Sequence, residues 1–255
     1  MKKIVLFVLA LTMVFALAAC GETENTSSET ASTATSSTES VADTSSETSE
    51  DEVKVMTHEE YMTAELQSEV VVETYVQGHQ SWWDNKITVY CQSEDGAYLA
   101  YEMACTEEDA AKLVPGTKIR ISGVKGEWEG EVEIMEGTFE FVEGGDTYIA
   151  PAFDATELLG TDDLIKHQNE FVSFKGLTVA EIEYKNGEPG DDIYLTLTKG
   201  DVSVEFCVEI YLTGEESEVY TTVGTLEVGA VVDVEGYLYW YQGANPHVTS
   251  IKVVK

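Results

Sequence analysis

From residue 53 onward the chain is a series of short segments in which apolar side chains fall at every second position, the period of a half-buried strand. Val70–Val76 is the first. Ile87, Val89 and Cys91 then alternate with Thr88 and Tyr90. Across the turn Ser93-Glu94-Asp95-Gly96, Leu99, Tyr101 and Met103 alternate with Ala100 and Glu102, so these two runs predict a hairpin with Cys91 opposite about position 98. A second pattern occurs twice at a constant offset, as Leu113-Val-Pro-Gly116-Thr-Lys-Ile119-Arg-Ile121-Ser-Gly123 and as Leu226-Glu-Val-Gly229-Ala-Val-Val232-Asp-Val234-Glu-Gly236. Each copy reads as a turn, a Gly that permits an unusual backbone angle, a strand, and a second Gly where the strand bends. Trp128 with Gly130 follows the first copy, and Trp240 with Gly243 the second.

Short helices punctuate the strands. Thr57-His58-Glu59-Glu60 has the spacing of a capping box, and Tyr61, Ala64 and Leu66 give its helix an apolar face. Thr106-Glu-Glu-Asp109 opens another that runs to Leu113, with Ile119 and Ile121 then inward and Val132, Ile134, Phe139 and Phe141 closing the unit. The second half repeats the order: a short helix at 162–167, strands over 171–179, 193–197 and 202–208, helix within 213–226, and closing strands holding Val232, Val234, Leu238, Val248, Ile251 and Val253. Strand, strand, strand, helix, strand, strand is the order of an OB-fold barrel. The expected fold class is mainly β: two consecutive five-stranded OB-fold-like barrels, over 53–150 and 151–255, whose short connector should leave them touching.

The region before them reads differently. Lys2 and Lys3, an apolar run from Ile4 to Ala16, and Leu17-Ala18-Ala19-Cys20 look like the lipobox of bacterial lipoprotein signal peptides. By that resemblance residues 1–19 are the signal peptide and Cys20 carries the lipid. Residues 20–52 are almost wholly Ser, Thr, Glu, Ala and Asp after the cysteine, which predicts a disordered linker. The expected location is the extracytoplasmic face of the cell membrane. Cys91, Cys105 and Cys207 remain; Cys105 lies some seven residues past the partner of Cys91, at ~3.3 Å each, which is too far for a disulfide across that hairpin. They are expected as small buried thiols.

Charge narrows the ligand. A formal net charge of −34 repels phosphate backbones and anionic head groups, so nucleic acid is an unfavoured partner. His58, His79, His167 and His247 have no metal-ligand spacing, and the acidic sets Glu188, Asp191, Asp192 and Asp154, Asp162, Asp163 follow no calcium-loop pattern and read as solvated turns. No nucleophile motif or phosphate loop is present, so neither a metal, a cofactor nor a catalytic residue is assigned. His247, after Asn245-Pro246, is expected to fix a loop by hydrogen bonding.

On the doubled Leu-x-x-Gly-x-x-apolar-x-apolar-x-Gly signature and on Tyr239-Trp240-Tyr241-Gln242-Gly243-Ala244-Asn245-Pro246-His247, the chain resembles the tandem OB-fold lipoproteins of Gram-positive gut bacteria. Its barrels are similar to OB modules appended to some secreted nucleases, without a nuclease motif. OB barrels bind along strands 2 and 3, between the loops joining strands 1 and 2 and strands 4 and 5. Those loops hold Trp82, Trp83 and Trp128 in the first unit and Tyr239 and Tyr241 in the second, with Trp240 facing the interior by parity. These five rings are the expected ligand contacts. The function expected is a non-enzymatic binding module for a glycan or a protein; an assembly factor of the envelope and a single-strand nucleic-acid binder are the rivals. The oligomeric state is left open.

Overall fold

The structure, a computed structural model, describes residues 54–254. The expected signal peptide, Cys20 and the linker lie outside the described residues. Thr57 accepts a hydrogen bond from the Glu60 amide, and the Glu60 carboxylate accepts one from the Thr57 amide, so the capping box starts α1 (His58–Thr63) as its spacing predicts. Tyr61 is its buried residue. Leu66, expected on that apolar face, lies beyond the end of the helix and is exposed.

β1 (Glu69–His79), β2 (Lys86–Ser93), β3 (Gly96–Ala104), β4 (Lys118–Trp128) and β5 (Glu131–Phe141) form a closed barrel in the order β1-β2-β3-β5-β4, with β4 pairing back onto β1. The single-turn helix α2 (Glu107–Ala110), shorter than the run to Leu113 that was expected, precedes β4, so the first unit has the OB-type order. Val70, Val72, Val89, Ile119, Ile121 and Ile134 fill the interior, as the alternation requires.

The Asp95-Gly96 turn sets Cys91 opposite Tyr98, the predicted register. Further along, Ile87 faces Met103 but Val89 faces Ala100, so two residues, Tyr101 and Glu102, oppose Thr88 alone. This is a β-bulge, with Glu102 in the left-handed region at φ 44° and its amide donating to Thr88 Oγ1 at 3.1 Å. The bulge reverses parity: Tyr98 and Ala100 turn into the barrel, while Leu99 and Tyr101 turn out of it.

In the second half, β6 (Phe153–Asp154), β7 (Phe171–Tyr184), β8 (Ile193–Lys199), β9 (Val202–Val208), β10 (Val231–Tyr237) and β11 (His247–Val253) form a sheet in the order β10-β11-β9-β8-β7-β6, and β10 also pairs with β7. The helix expected within 213–226 is two short pieces, α3 (Ile210–Thr213) and α4 (Glu218–Val223), and the one at 162–167 is a 3-10 turn over Leu164–His167. Phe174, Leu195, Leu197, Phe206, Val232 and Val234 form its core. Val253 was expected to complete that core and is instead exposed near the end of the last strand.

The glycines of the doubled stretch do what the sequence asks of them. Gly116 and Gly229 take φ of 89° and 95°. Gly123 and Gly236 lie where the backbones of paired strands crowd: a Cβ on Gly236 would stand 2.1 Å from the His247 carbonyl oxygen.

Part of the outward face of β2 and β3 is covered. Tyr90, expected on a half-exposed face, is 1 % exposed. It stacks on Tyr237 of β10 at 4.4 Å and 12°, with Leu99, Phe171, Leu212 and Tyr239 around the pair. Its hydroxyl, kept protonated by burial, lies within hydrogen-bond distance of His247 Nδ1 at 2.7 Å, and burial lowers that imidazole to about 4, so the ring is neutral. Gln92 Oε1 accepts from the Phe171 amide at 2.7 Å, and Glu131 Oε2 from the Trp240 amide at 2.8 Å. Glu131 is fully buried, and burial holds its carboxyl well above the usual range.

Gly236→Ala should lower the free energy of unfolding by about 2–3 kcal/mol, because the clash is with backbone that cannot step aside. Val228→Ala, at an exposed site, should change it by less than about 0.5 kcal/mol. Urea unfolding of the two variants measures both.

Candidate functional site

The loop between β1 and β2 ends in a tight turn. Trp83 and Lys86 exchange both backbone hydrogen bonds, and Asp84 and Asn85 between them take φ of 46° and 62°, the geometry of a type I′ turn. Alternation along this hairpin sends neighbouring indoles to opposite sides. Trp82 packs against the first core, and its Nε1 donates to the Cys105 carbonyl at 2.9 Å. Trp83 is 77 % exposed. Trp82 is thus part of the packing of the first barrel, and Trp83 stands clear of it.

Trp83 stands beside a cavity of about 400 Å³, with Gln80, Lys86, Tyr101, Glu102 and Tyr211 also in its wall. A second cavity, of about 520 Å³, is lined by Tyr194, Tyr239, Tyr241, Glu205, Glu209 and Asp192 among others. Tyr101, turned out of the barrel by the bulge, belongs to both walls. The two adjoin where the β2–β3 face of the first unit meets β8, β9 and α3 of the second. Tyr211 is fixed from both sides: its amide donates to Glu209 Oε1 at 3.2 Å, and its carbonyl accepts from the Ser81 amide at 2.6 Å.

The other expected contacts divide. Tyr241 is exposed and lines the second cavity. Tyr239 lines it too, but is half-buried and stacked on His247 at 4.3 Å, where parity had pointed it to solvent. His247 thus meets the Tyr239 loop by stacking, and the hydrogen bond expected to fix a loop runs instead to Tyr90 of the other unit. Trp240 packs on the second core, as parity predicts. Trp128 is 58 % exposed at the end of the β4–β5 hairpin, opposite Glu131, and lines neither cavity. That hairpin has only Glu129 and Gly130 between its strands, and it is held by Gln242, whose amide donates to the Glu129 carbonyl at 2.7 Å. It is too short to reach back over the cavities, so Trp128 is not a cleft residue.

Tyr101, Tyr194, Tyr211 and Glu209 were not singled out from the sequence. The signal for Tyr101 was its place on strand 3, the face OB barrels use. Asp192, read as part of a solvated turn, is buried: Oδ1 accepts from the Ile210 amide at 2.9 Å, and Oδ2 from Lys185 Nζ at 2.9 Å. Burial, with Asp192 beside it, raises the Glu209 carboxyl to about 7. Among the described residues no group of three His, Cys, Asp or Glu side chains is placed to hold a metal ion. Cys91, Cys105 and Cys207 are buried and free, as expected, and burial raises all three thiols, which makes them poor nucleophiles.

No family model matches the chain, and no curated protein matches it. Among solved structures, it overlaps a murine DNA binding protein bound with double-stranded DNA at 13 % identity and TM-score 0.36, covering 72 % of this chain and 95 % of that one. The p204 HINb domain overlaps at 14 % identity and TM-score 0.36, covering 75 % and 100 %. Asparaginyl-tRNA synthetase from Pyrococcus horikoshii overlaps at 21 % identity and TM-score 0.28, covering 34 % of this chain and only 20 % of its own length. At these scores the likeness carries no ligand or activity over to this chain.

The indoles should separate in stability. Trp82→Ala should cost about 3 kcal/mol in urea unfolding, since it removes a packed ring and orphans a carbonyl. Trp83→Ala should cost less than about 0.5 kcal/mol.

Proposed function

We propose that this chain is a lipid-anchored, extracytoplasmic binding protein without catalytic chemistry, and that it takes a glycan in the cleft between its two halves. In this reading residues 1–19 direct export, Cys20 is lipidated, and 20–52 hold the folded part away from the membrane, as the lipoproteins it resembles would. The second half is read as a second OB-like barrel, a view supported by the return of β10 onto β7. The observation that carries the ligand class is the lining of the adjoining cavities. Trp83, Tyr101 and Tyr211 on one side and Tyr194, Tyr239 and Tyr241 on the other offer flat apolar faces beside carboxylates. Sugar rings present C–H faces for such stacking, and hydroxyls that donate to carboxylates. A single-stranded nucleic acid could stack on the same rings, but a net charge of −34 with few cations to track phosphates opposes it.

Titration of the purified protein with neutral oligosaccharides and with oligothymidylate, followed by Trp fluorescence, tests this. Saturable, salt-indifferent sugar binding is expected, weakened about tenfold by Trp83→Ala or Tyr101→Ala and unchanged by Trp128→Ala. Oligothymidylate binding that falls steeply with salt would assign the cleft to nucleic acid. No binding of either would leave the role of an envelope assembly factor.

A further inference from the structure

The second cavity is not electrically balanced. Three acidic side chains, Asp192, Glu205 and Glu209, stand in its wall against one ammonium, Lys185. Lys185 is already engaged, 2.9 Å from Asp192 and 3.2 Å from Asp191. Glu205 has only the Asn245 side-chain amide, at 3.2 Å. Glu209 is 8 % exposed; its Oε1 accepts from the Tyr211 amide, and its Oε2 meets no donor among the described residues. A buried carboxyl oxygen without a donor is costly to keep and rare. Oε2 is shielded from water, but the last torsion of a glutamate is soft, so a donor in the cavity can draw it round. Tyr194, Tyr239 and Tyr241 line the same cavity, and ring faces attract cations as well as sugar C–H groups.

We infer that this cavity selects an ammonium-bearing sugar, whose amine donates to Glu209 while the tyrosine rings hold the sugar face. The inference rests on the glycan reading of the cleft and narrows it: the negative wall that repels phosphate gathers a cation, and the neutral His247 in that wall adds no opposing charge.

Three probes of one shape class separate the inference from the reading beneath it: the β-1,4-linked tetramers of glucosamine, of N-acetylglucosamine and of glucose. Calorimetric titration of the purified protein near neutral pH is expected to show the glucosamine tetramer binding about tenfold or more tighter than the other two, with the preference shrinking as salt is raised. Glu209→Gln keeps the shape and the acceptor for Tyr211, and should abolish the preference for the glucosamine tetramer over the other two. Glu205→Gln, at an exposed site, should reduce the preference without touching the fold. Equal binding of all three tetramers, unaffected by Glu209→Gln, would overturn the amine assignment and leave the glycan cleft standing. Binding of none would overturn both.

Discussion

The two halves of the molecule meet around one buried aromatic stack, and the cleft is built beside it. Tyr90 lies flat on Tyr237, and the Tyr90 hydroxyl reaches His247 at the start of the last strand. A stacked pair contributes roughly 0.5–1.5 kcal/mol beyond the area it buries. Its larger effect is geometric. It covers the inner part of the outward β2–β3 face and leaves Tyr101 beside the two cavities. His247, at the other end of the hydrogen bond, is the surface on which Tyr239 stacks. The junction and the wall of the cleft are thus built from the same residues.

Polar groups set the angle at which the halves meet. The Gln92, Glu131 and Gln242 contacts fix the junction at separate points, and Gln168 adds another by donating to the Gly130 carbonyl at 2.8 Å. Buried hydrogen bonds contribute modestly to net stability but are expensive to leave unmade. A sliding or tilting of one half on the other would orphan several at once, so the cleft has one shape. The acidic excess of the chain opposes the approach of phosphate groups.

Much of the first barrel was legible because its information is local. Alternation names the interior residues, the Asp95-Gly96 turn fixes a register, and the doubled glycines mark where strands turn or crowd. What the sequence did not disclose is set by partners far away in the chain or by unusual backbone. Tyr90 and Thr88 read as the wet face of β2 because nothing nearby announces that the second half will cover them. The bulge at Tyr101-Glu102 carries no glycine to advertise its left-handed residue, so parity was carried one step too far and Tyr101 was missed. Trp82 and Trp83 are indistinguishable as letters; only the tight turn at Asp84-Asn85 assigns one to the core and one to the cleft. Asp192 lay in a run of acids that looks solvated, and its burial follows from Lys185 and the start of α3 closing over it.

If the aromatic junction welds the two halves, they must lose structure together. Urea unfolding followed in parallel by far-ultraviolet circular dichroism and by Trp fluorescence should give one coincident transition for the parent protein, and Tyr90→Ala should split it into two. Separate transitions in the parent, or a single unshifted one in Tyr90→Ala, would contradict the dependence of the cleft on this contact.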